Sequence, residues 1–178
     1  MSFDLASALR RVRPQRPLAP EARTAPPVDL EARRPEILLD TCVYIDVAKD
    51  RTNAALDTLL ARRPIRHSSV ALAELTHLFG RLDPAHPGTA PTLRELTAIV
   101  ADIPERRLSA PSLQAFGEAG MLAGLAARLG GKPHDQAALN DALLHLQAGE
   151  GGWMLVTRNA GDFGLLRRLA PGTEVFLY

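Results

Sequence analysis

The chain has 178 residues, 21 basic and 20 acidic side chains, 46% hydrophobic and 4% aromatic content, and a single cysteine, which suits one domain built on one core. A net charge of +1 attracts no polyanion unless the charge is unevenly placed. One cysteine forms no internal disulfide, and no apolar run approaches the roughly 20 residues of a membrane span or the core of a signal peptide. A reducing, cytoplasmic setting is therefore expected, with no membrane association.

The charge is in fact divided. Residues 1–35 carry Arg10, Arg11, Arg13, Arg16, Arg23, Arg33 and Arg34 against Asp4, Glu21, Asp29 and Glu31, a balance of +3 that leaves the remainder near −2. Four acids and few serines argue against an organelle transit peptide. Six prolines (Pro14, Pro17, Pro20, Pro26, Pro27, Pro35) block helix through the middle of this segment, so Pro14 to Pro35 is read as a mobile tail and residues 1–35 as an extension outside the domain. Ahead of the tail, Phe3, Leu5, Ala8, Leu9 and Val12 line one side of a short helix that suits a docking partner. So short a helix is marginal alone, and a frayed N-terminus is the favoured expectation.

From residue 36 the pattern changes. The run Ile37-Leu38-Leu39 reads as a strand ending on Asp40, followed by a helix through Tyr44 and Val47. Asn53 caps a helix over Ala54 to Ala61, stopped before Pro64. Ile65 to His67 is a second strand, passing through Ser68-Ser69 into a helix carrying Val70, Leu72, Leu75, Leu78 and Phe79. Asp83-Pro84 and Pro87-Gly88 mark a loop; Leu93, Leu96, Ile99 and Val100 mark a helix ending before Pro104. Arg107 to Ser109 is a short strand. Pro111 to Leu129 reads as a long, closely packed helix with small residues at Gly117, Gly120 and Gly124, ended by Gly130-Gly131, and another helix covers roughly His134 to Ala148. Gly149 to Gly152 turns the chain into the buried-strand run Trp153 to Val156. Asp162 to Leu169 is a final helix and Glu174 to Leu177 a last strand.

Strands alternating with helices imply an α/β fold with a central parallel sheet of about five strands covered on both faces, where ligands bind beyond the carboxyl ends of the strands. Asp40 stands at such an end, and Thr157, Asn159 and Asp162 follow another. Glu74, among Val70, Ala71, His77 and Leu78, and Asp141, among Ala137, Ala138, Leu144 and His145, are carboxylates on largely apolar helix faces. Burying an unpaired carboxylate costs several kcal/mol, on the order of 5. A divalent cation compensates, and an oxygen-only set suits Mg²⁺ or Mn²⁺. Each acid also has a bland explanation: Asp40 and Asp162 as helix caps, Glu74 paired with an arginine, Asp141 facing solvent. The five histidines show no zinc spacing, Cys42 has no nucleophile's partners, and no phosphate-binding glycine loop is present.

Leu38-Leu39-Asp40-Thr41, Ser69 to Leu75 around Glu74, Asn140-Asp141-Ala142-Leu143-Leu144, and Leu155-Val156-Thr157-Arg158-Asn159 with Asp162-Phe163 resemble, in order and spacing, the PIN-domain ribonucleases, particularly the VapC-type toxins of toxin–antitoxin pairs. The resemblance spans residues 36–178. It implies a three-layer α/β/α fold and an acidic pocket that binds Mg²⁺ or Mn²⁺ and hydrolyses RNA phosphodiester bonds to a 3′ hydroxyl and a 5′ phosphate.

Asp40, Glu74 and Asp141 match the family's most recognisable acids. The fourth position is shared between Asn159, where many relatives carry an aspartate, and Asp162, which is favoured here. Thr41, Ser69 and Thr157 would orient carboxylates or water, with Asn159 as a polar support, and Arg158, Arg66 or the arginine-rich segment would meet RNA phosphates. A cognate antitoxin and a homodimer are the partners the resemblance implies. The long Arg/Pro segment before Asp40 and the low aromatic content depart from the family pattern, the latter leaving few platforms for base stacking. A catalytically weak PIN-fold binding module is the alternative. A HAD-type phosphotransferase would need a second aspartate where Cys42 stands.

Overall fold

The computed structural model describes residues 3–13, 35–130 and 136–178 of the chain. Five strands form one all-parallel sheet: β1 (Ile37–Leu39), β2 (Ile65–Ser68), β3 (Leu108–Ser109), β4 (Met154–Thr157) and β5 (Val175–Leu177). Every residue of β1 and β4 is buried, as expected for continuous apolar runs covered on both faces.

The sheet order is β3-β2-β1-β4-β5. The chain therefore builds outward from β1 in one direction, then crosses back to lay β4 on the other side of β1. Ile37, Leu38 and Leu39 pair with Met154, Leu155 and Val156. The point where the strand order reverses lies between β1 and β4, and the crevice beyond their carboxyl ends is the natural binding place of such a sheet.

Helices α2 (Thr41–Ala48), α3 (Ala54–Arg62), α4 (Ser69–Arg81), α5 (Thr89–Ala101), α6 (Leu113–Gly130), α7 (Gln136–Gly151) and α8 (Ala160–Leu169) cover the sheet. Asn53 caps α3 by accepting from the Leu56 N–H at 2.9 Å, which bears out the capping expectation. α5 starts four residues before Leu93, because Pro91 falls in its first turn, where the missing N–H has no partner to lose. α7 runs past Ala148 through Gly151, and the turn is made by Gly152 at φ +64°. Gly149 lies so near Thr173 that a Cβ there would stand 2.7 Å from its Oγ1. Of the three glycines expected to pack α6 closely, Gly117 does among the described residues, lying against the Phe3 ring; a Cβ at Gly120 or Gly124 would meet none of the described residues within 4 Å.

The N-terminal expectation needs correction. Leu5–Val12 is a helix, α1, docked on α6 rather than frayed. Ala8 and Val12 are buried, while Leu5 and Leu9 of the same apolar stripe remain exposed. Asp4 and Gln114 exchange two hydrogen bonds at 2.9 and 3.0 Å, and Arg11 pairs with the buried Glu118 at 3.1 Å. Tertiary contacts thus supply what an isolated eight-residue helix lacks. The mobile tail expected from Pro14 onward lies, apart from Pro35, outside the described residues.

Glu118 is 1% exposed; Arg11 faces its Oε2 as an ion pair, and among the described residues its one hydrogen bond is accepted by Oε1 from Gln114 Nε2 at 3.0 Å. Arg11→Ala is expected to destabilise the protein by about 2 kcal/mol, below the usual loss for a broken buried pair, because water replaces the half-exposed guanidinium. Adding Glu118→Gln should restore most of that in urea denaturation. A double variant no more stable than the single one would show that α1 docks without this pair.

Candidate metal-binding site at the carboxyl end of the sheet

The last ladder bond of β1 is made by the Asp40 N–H, which donates to the Val156 carbonyl at 3.0 Å. Its side chain projects just beyond the strand and is 7% exposed. Asp40 occupies the cap position of α2 but makes no side-chain capping bond, so the cap explanation does not account for it. Instead Oδ2 accepts from Thr157 Oγ1 at 2.6 Å and from the Cys42 thiol at 3.1 Å.

Glu74 reaches the same region from α4, half-buried. One carboxylate oxygen accepts from Asn140 Nδ2 at 2.8 Å and the other from the Thr41 hydroxyl. Among the described residues, no basic side chain pairs with Asp40 or Glu74, so the arginine expected as a bland partner for Glu74 is not what holds it.

Asp141, beside Asn140 on α7, and Asp162, in the first turn of α8, are joined by Asn159, whose Nδ2 lies 3.4 Å from Asp141 and donates to Asp162 at 2.9 Å. Asn159, not Asp162, is the cap of α8: its Oδ1 accepts from the Asp162 N–H at 3.2 Å. The Asn159 N–H in turn donates to Thr157 Oγ1 at 2.9 Å. Thr157 and Asn159 therefore link Asp40, Asp141 and Asp162 by hydrogen bonds, while Glu74 is bonded by Thr41 and Asn140, the chain neighbours of Asp40 and Asp141.

Hydroxyl and amide donors stabilise carboxylates in their ionised form without neutralising them. The resulting cluster is oxygen-rich and anionic, a donor set that fits a hard divalent cation. Among the described residues, no three His, Cys, Asp or Glu side chains stand in metal-holding geometry; Asp141 and Asp162 share the Asn159 amide, and Asp40 is joined to it through Thr157. Cys42 stays a thiol at neutral pH, its pKa pushed up to about 11 by burial first and by the neighbouring Asp40 charge second. It therefore serves Asp40 as a hydrogen-bond donor and is not a nucleophile.

Several expected residues lie elsewhere or act otherwise. Arg66 is held at the opposite end of the sheet, bidentate to Glu36 at 2.8 and 3.0 Å and 5.7 Å from the Trp153 ring centroid. Arg158 turns inward onto Asp46. The serine that caps α4 is Ser68, which accepts from the Val70 N–H at 3.1 Å and donates to Gln147 at 2.6 Å; Ser69 simply begins the helix.

Asn140 was not assigned a role from sequence, although it adjoins Asp141 in the motif. Asp46 was missed too, yet it carries the same signal as Glu74, an acid inside the apolar run Cys42 to Ala48. A separate cavity of about 840 Å³ between α2, α3 and α5, walled by Tyr44, Ile65, His67 and Ile99, is lined by none of the four acids. Its charged lining residues, Glu95, Asp102 and Arg107, are separate from the acidic crevice.

No protein-family model and no curated protein matches the sequence. Solved structures do match. A chain of VapBC2 from Rickettsia felis, bound to a DNA fragment from its promoter, aligns with a TM-score of 0.55 at 18% identity, covering 80% of this chain and 98% of that one. The chain has a PIN-like fold. DNA-bound VapBC from Salmonella typhimurium (TM-score 0.55, 20% identity, 79% and 96% covered) and FitAcB from Neisseria gonorrhoeae (0.54, 20%, 79% and 96%) share it. The three-layer expectation, with five parallel strands, is met by this PIN-like chain. No helix of the described residues is long and apolar enough to cross a membrane.

Proposed function

We propose that this PIN-like protein is a metal-dependent endoribonuclease and the toxin of a toxin–antitoxin pair. The observation that carries the reading is the approach of Asp40, Glu74, Asp141 and Asp162 to the reversal point of the sheet, where Thr41, Asn140, Thr157 and Asn159 donate hydrogen bonds to them. An acidic cluster of this kind repels RNA phosphates unless a cation is added, so its residues make sense together around Mg²⁺ or Mn²⁺.

In this reading Asp40 and Asp141 hold the ion, with Glu74 and Asp162 in support. When bound, the ion polarises a phosphoryl oxygen and lowers the pKa of a coordinated water. Thr157 keeps Asp40 turned toward the crevice, and Asn159 keeps Asp141 and Asp162 together, so that the carboxylates are placed before substrate arrives. The solved neighbours are VapBC and FitAcB assemblies; an antitoxin partner and a homodimer are proposed by analogy with them and with the VapC-type family.

The test is cleavage of single-stranded and structured RNAs by purified protein with Mg²⁺, with Mn²⁺ and with EDTA. Cutting with either metal and none with EDTA is the expected result. A second reading, a PIN-like binding module with a weak or inactive site, is favoured by the absence of a ready-made three-ligand geometry among the described residues. RNA binding without cleavage under every metal condition would select it.

A further inference from the structure

Only Arg158 and Asn159 separate the end of β4 from the start of α8. This two-residue turn carries no apolar side chain to anchor it, yet Thr157 before it and Asn159 within it make the bonds that connect Asp40, Asp141 and Asp162. Something must hold the turn in place, and Arg158 is the residue of the turn that reaches outside the acidic cluster.

It reaches Asp46. Arg158 Nη1 lies 2.7 Å from both carboxylate oxygens, Arg51 Nη2 donates to Oδ1 at 2.7 Å, and the Tyr178 hydroxyl donates to Oδ2 at 2.9 Å. Asp46 itself is 1% exposed. Buried ion pairs return little net stability, since desolvation offsets most of the attraction, but they fix geometry tightly. Here the geometry belongs to the turn. Losing the Asp46 charge would also release the Arg158 guanidinium beside four carboxylates, where it would compete with a cation.

We propose that Asp46, acting through Arg158, is a positioning residue that fixes the Thr157–Asn159 turn and thereby the carboxylates of the acidic crevice, and that Arg158 serves this inward ion pair rather than an RNA phosphate. The proposal deepens the nuclease reading and rests on it for its metal readout, while its structural readout is independent of any activity.

The experiment compares the full chain with Asp46→Asn, Arg158→Gln, Arg158→Lys, Arg51→Gln and Tyr178→Phe. Amide hydrogen exchange at Asn159 and Asp162, whose N–H groups are bonded within the turn, is expected to speed up at least about tenfold in Asp46→Asn and Arg158→Gln. Arg51→Gln and Tyr178→Phe remove other partners of Asp46 and should leave both rates within about twofold. Mn²⁺ affinity should fall on the order of tenfold in the first pair, with Arg158→Lys recovering part of it. The salt slope of RNA binding should not change in Arg158→Gln.

Equal acceleration in Arg51→Gln would reduce the cluster to general stability and overturn the proposal. Unchanged exchange in Arg158→Gln, with a salt slope lowered by about 0.7, would make Arg158 a phosphate contact instead. If Asp46→Asn does not fold, Arg158→Gln decides. If the wild type neither binds Mn²⁺ nor cuts RNA, the nuclease reading falls, and the exchange rates still decide whether Asp46 positions the turn.

Discussion

Asp40→Asn and Asp141→Asn are each expected to lower metal-dependent RNA cleavage by about a thousandfold or more, because each removes a full charge from the place where the cation must sit. Glu74→Gln and Asp162→Asn should cost less, on the order of ten- to a hundredfold, since these acids support rather than anchor the ion. The substitutions are isosteric. An asparagine at 40 can still accept the Thr157 hydroxyl that now donates to Asp40 at 2.6 Å, so the fold should survive.

Removing one of several neighbouring negative charges also relieves repulsion, and without metal both variants should melt at or above the wild-type temperature. Adding Mn²⁺ should raise the wild-type melting temperature and leave those of the variants unmoved. Cleavage by both variants at the wild-type rate would remove the acids from the mechanism.

The second large effect concerns pH. His145 lies in the middle of α7 with no exposed surface; its Nε2 is 2.8 Å from the Ala170 carbonyl and its Nδ1 has no hydrogen-bond partner among the described residues. Burial is the main cause that lowers its pKa to about 4, with Arg11 and Arg167 pushing the same way against the opposing Ala170 carbonyl. The folded protein therefore holds a neutral imidazole that donates to Ala170.

The unfolded chain takes up a proton near pH 6.5, whereas the folded chain does so only near 4. Stability from this residue is fully present above pH 6.5 and declines as the pH falls from there to about 4. The full loss is about 3 kcal/mol. His145→Gln keeps a donor for Ala170 and does not titrate in this range. Urea denaturation across the window should show a shallower pH dependence for the variant, by most of that amount; parallel curves would mean that His145 is protonated in the folded state or shielded differently.

Much of the fold was legible because the signals are local. The runs at Ile37 to Leu39 and at Met154 to Val156 are wholly apolar, as strands buried on both faces must be. Asn53 announces α3, and helical spacing announces α4. Three of the four acids were legible for a related reason. Asp40 ends a strand and Glu74 and Asp141 interrupt apolar helix faces, each visible within its own ten residues, whereas Asp162 is placed like an ordinary helix cap and stands out only through the resemblance of its motif.

What escaped depends on partners far away in the chain. The Arg158–Asp46 pair joins the turn after β4 to α2, and nothing near either residue names the other. Arg66 could be assigned to RNA only while its distance from the acids was unknown; the strand register sets it opposite Leu38, and its guanidinium meets Glu36 and Trp153. The docking of α1 escaped because propensity weighs eight residues by themselves, while the stabilising contacts come from Gln114, Gly117 and Glu118 on α6.

By itself, the sequence determined where strands and helices lie and which carboxylates stand at strand ends or on apolar helix faces, since hydrophobic period, capping and turn chemistry act over a few residues. The tertiary structure decided that β4 lies beside β1. That one adjacency brings Thr157 to Asp40 and puts Asn159 between Asp141 and Asp162. Such contacts follow from strand order and from packing two covered faces of a sheet, and no local pattern encodes either.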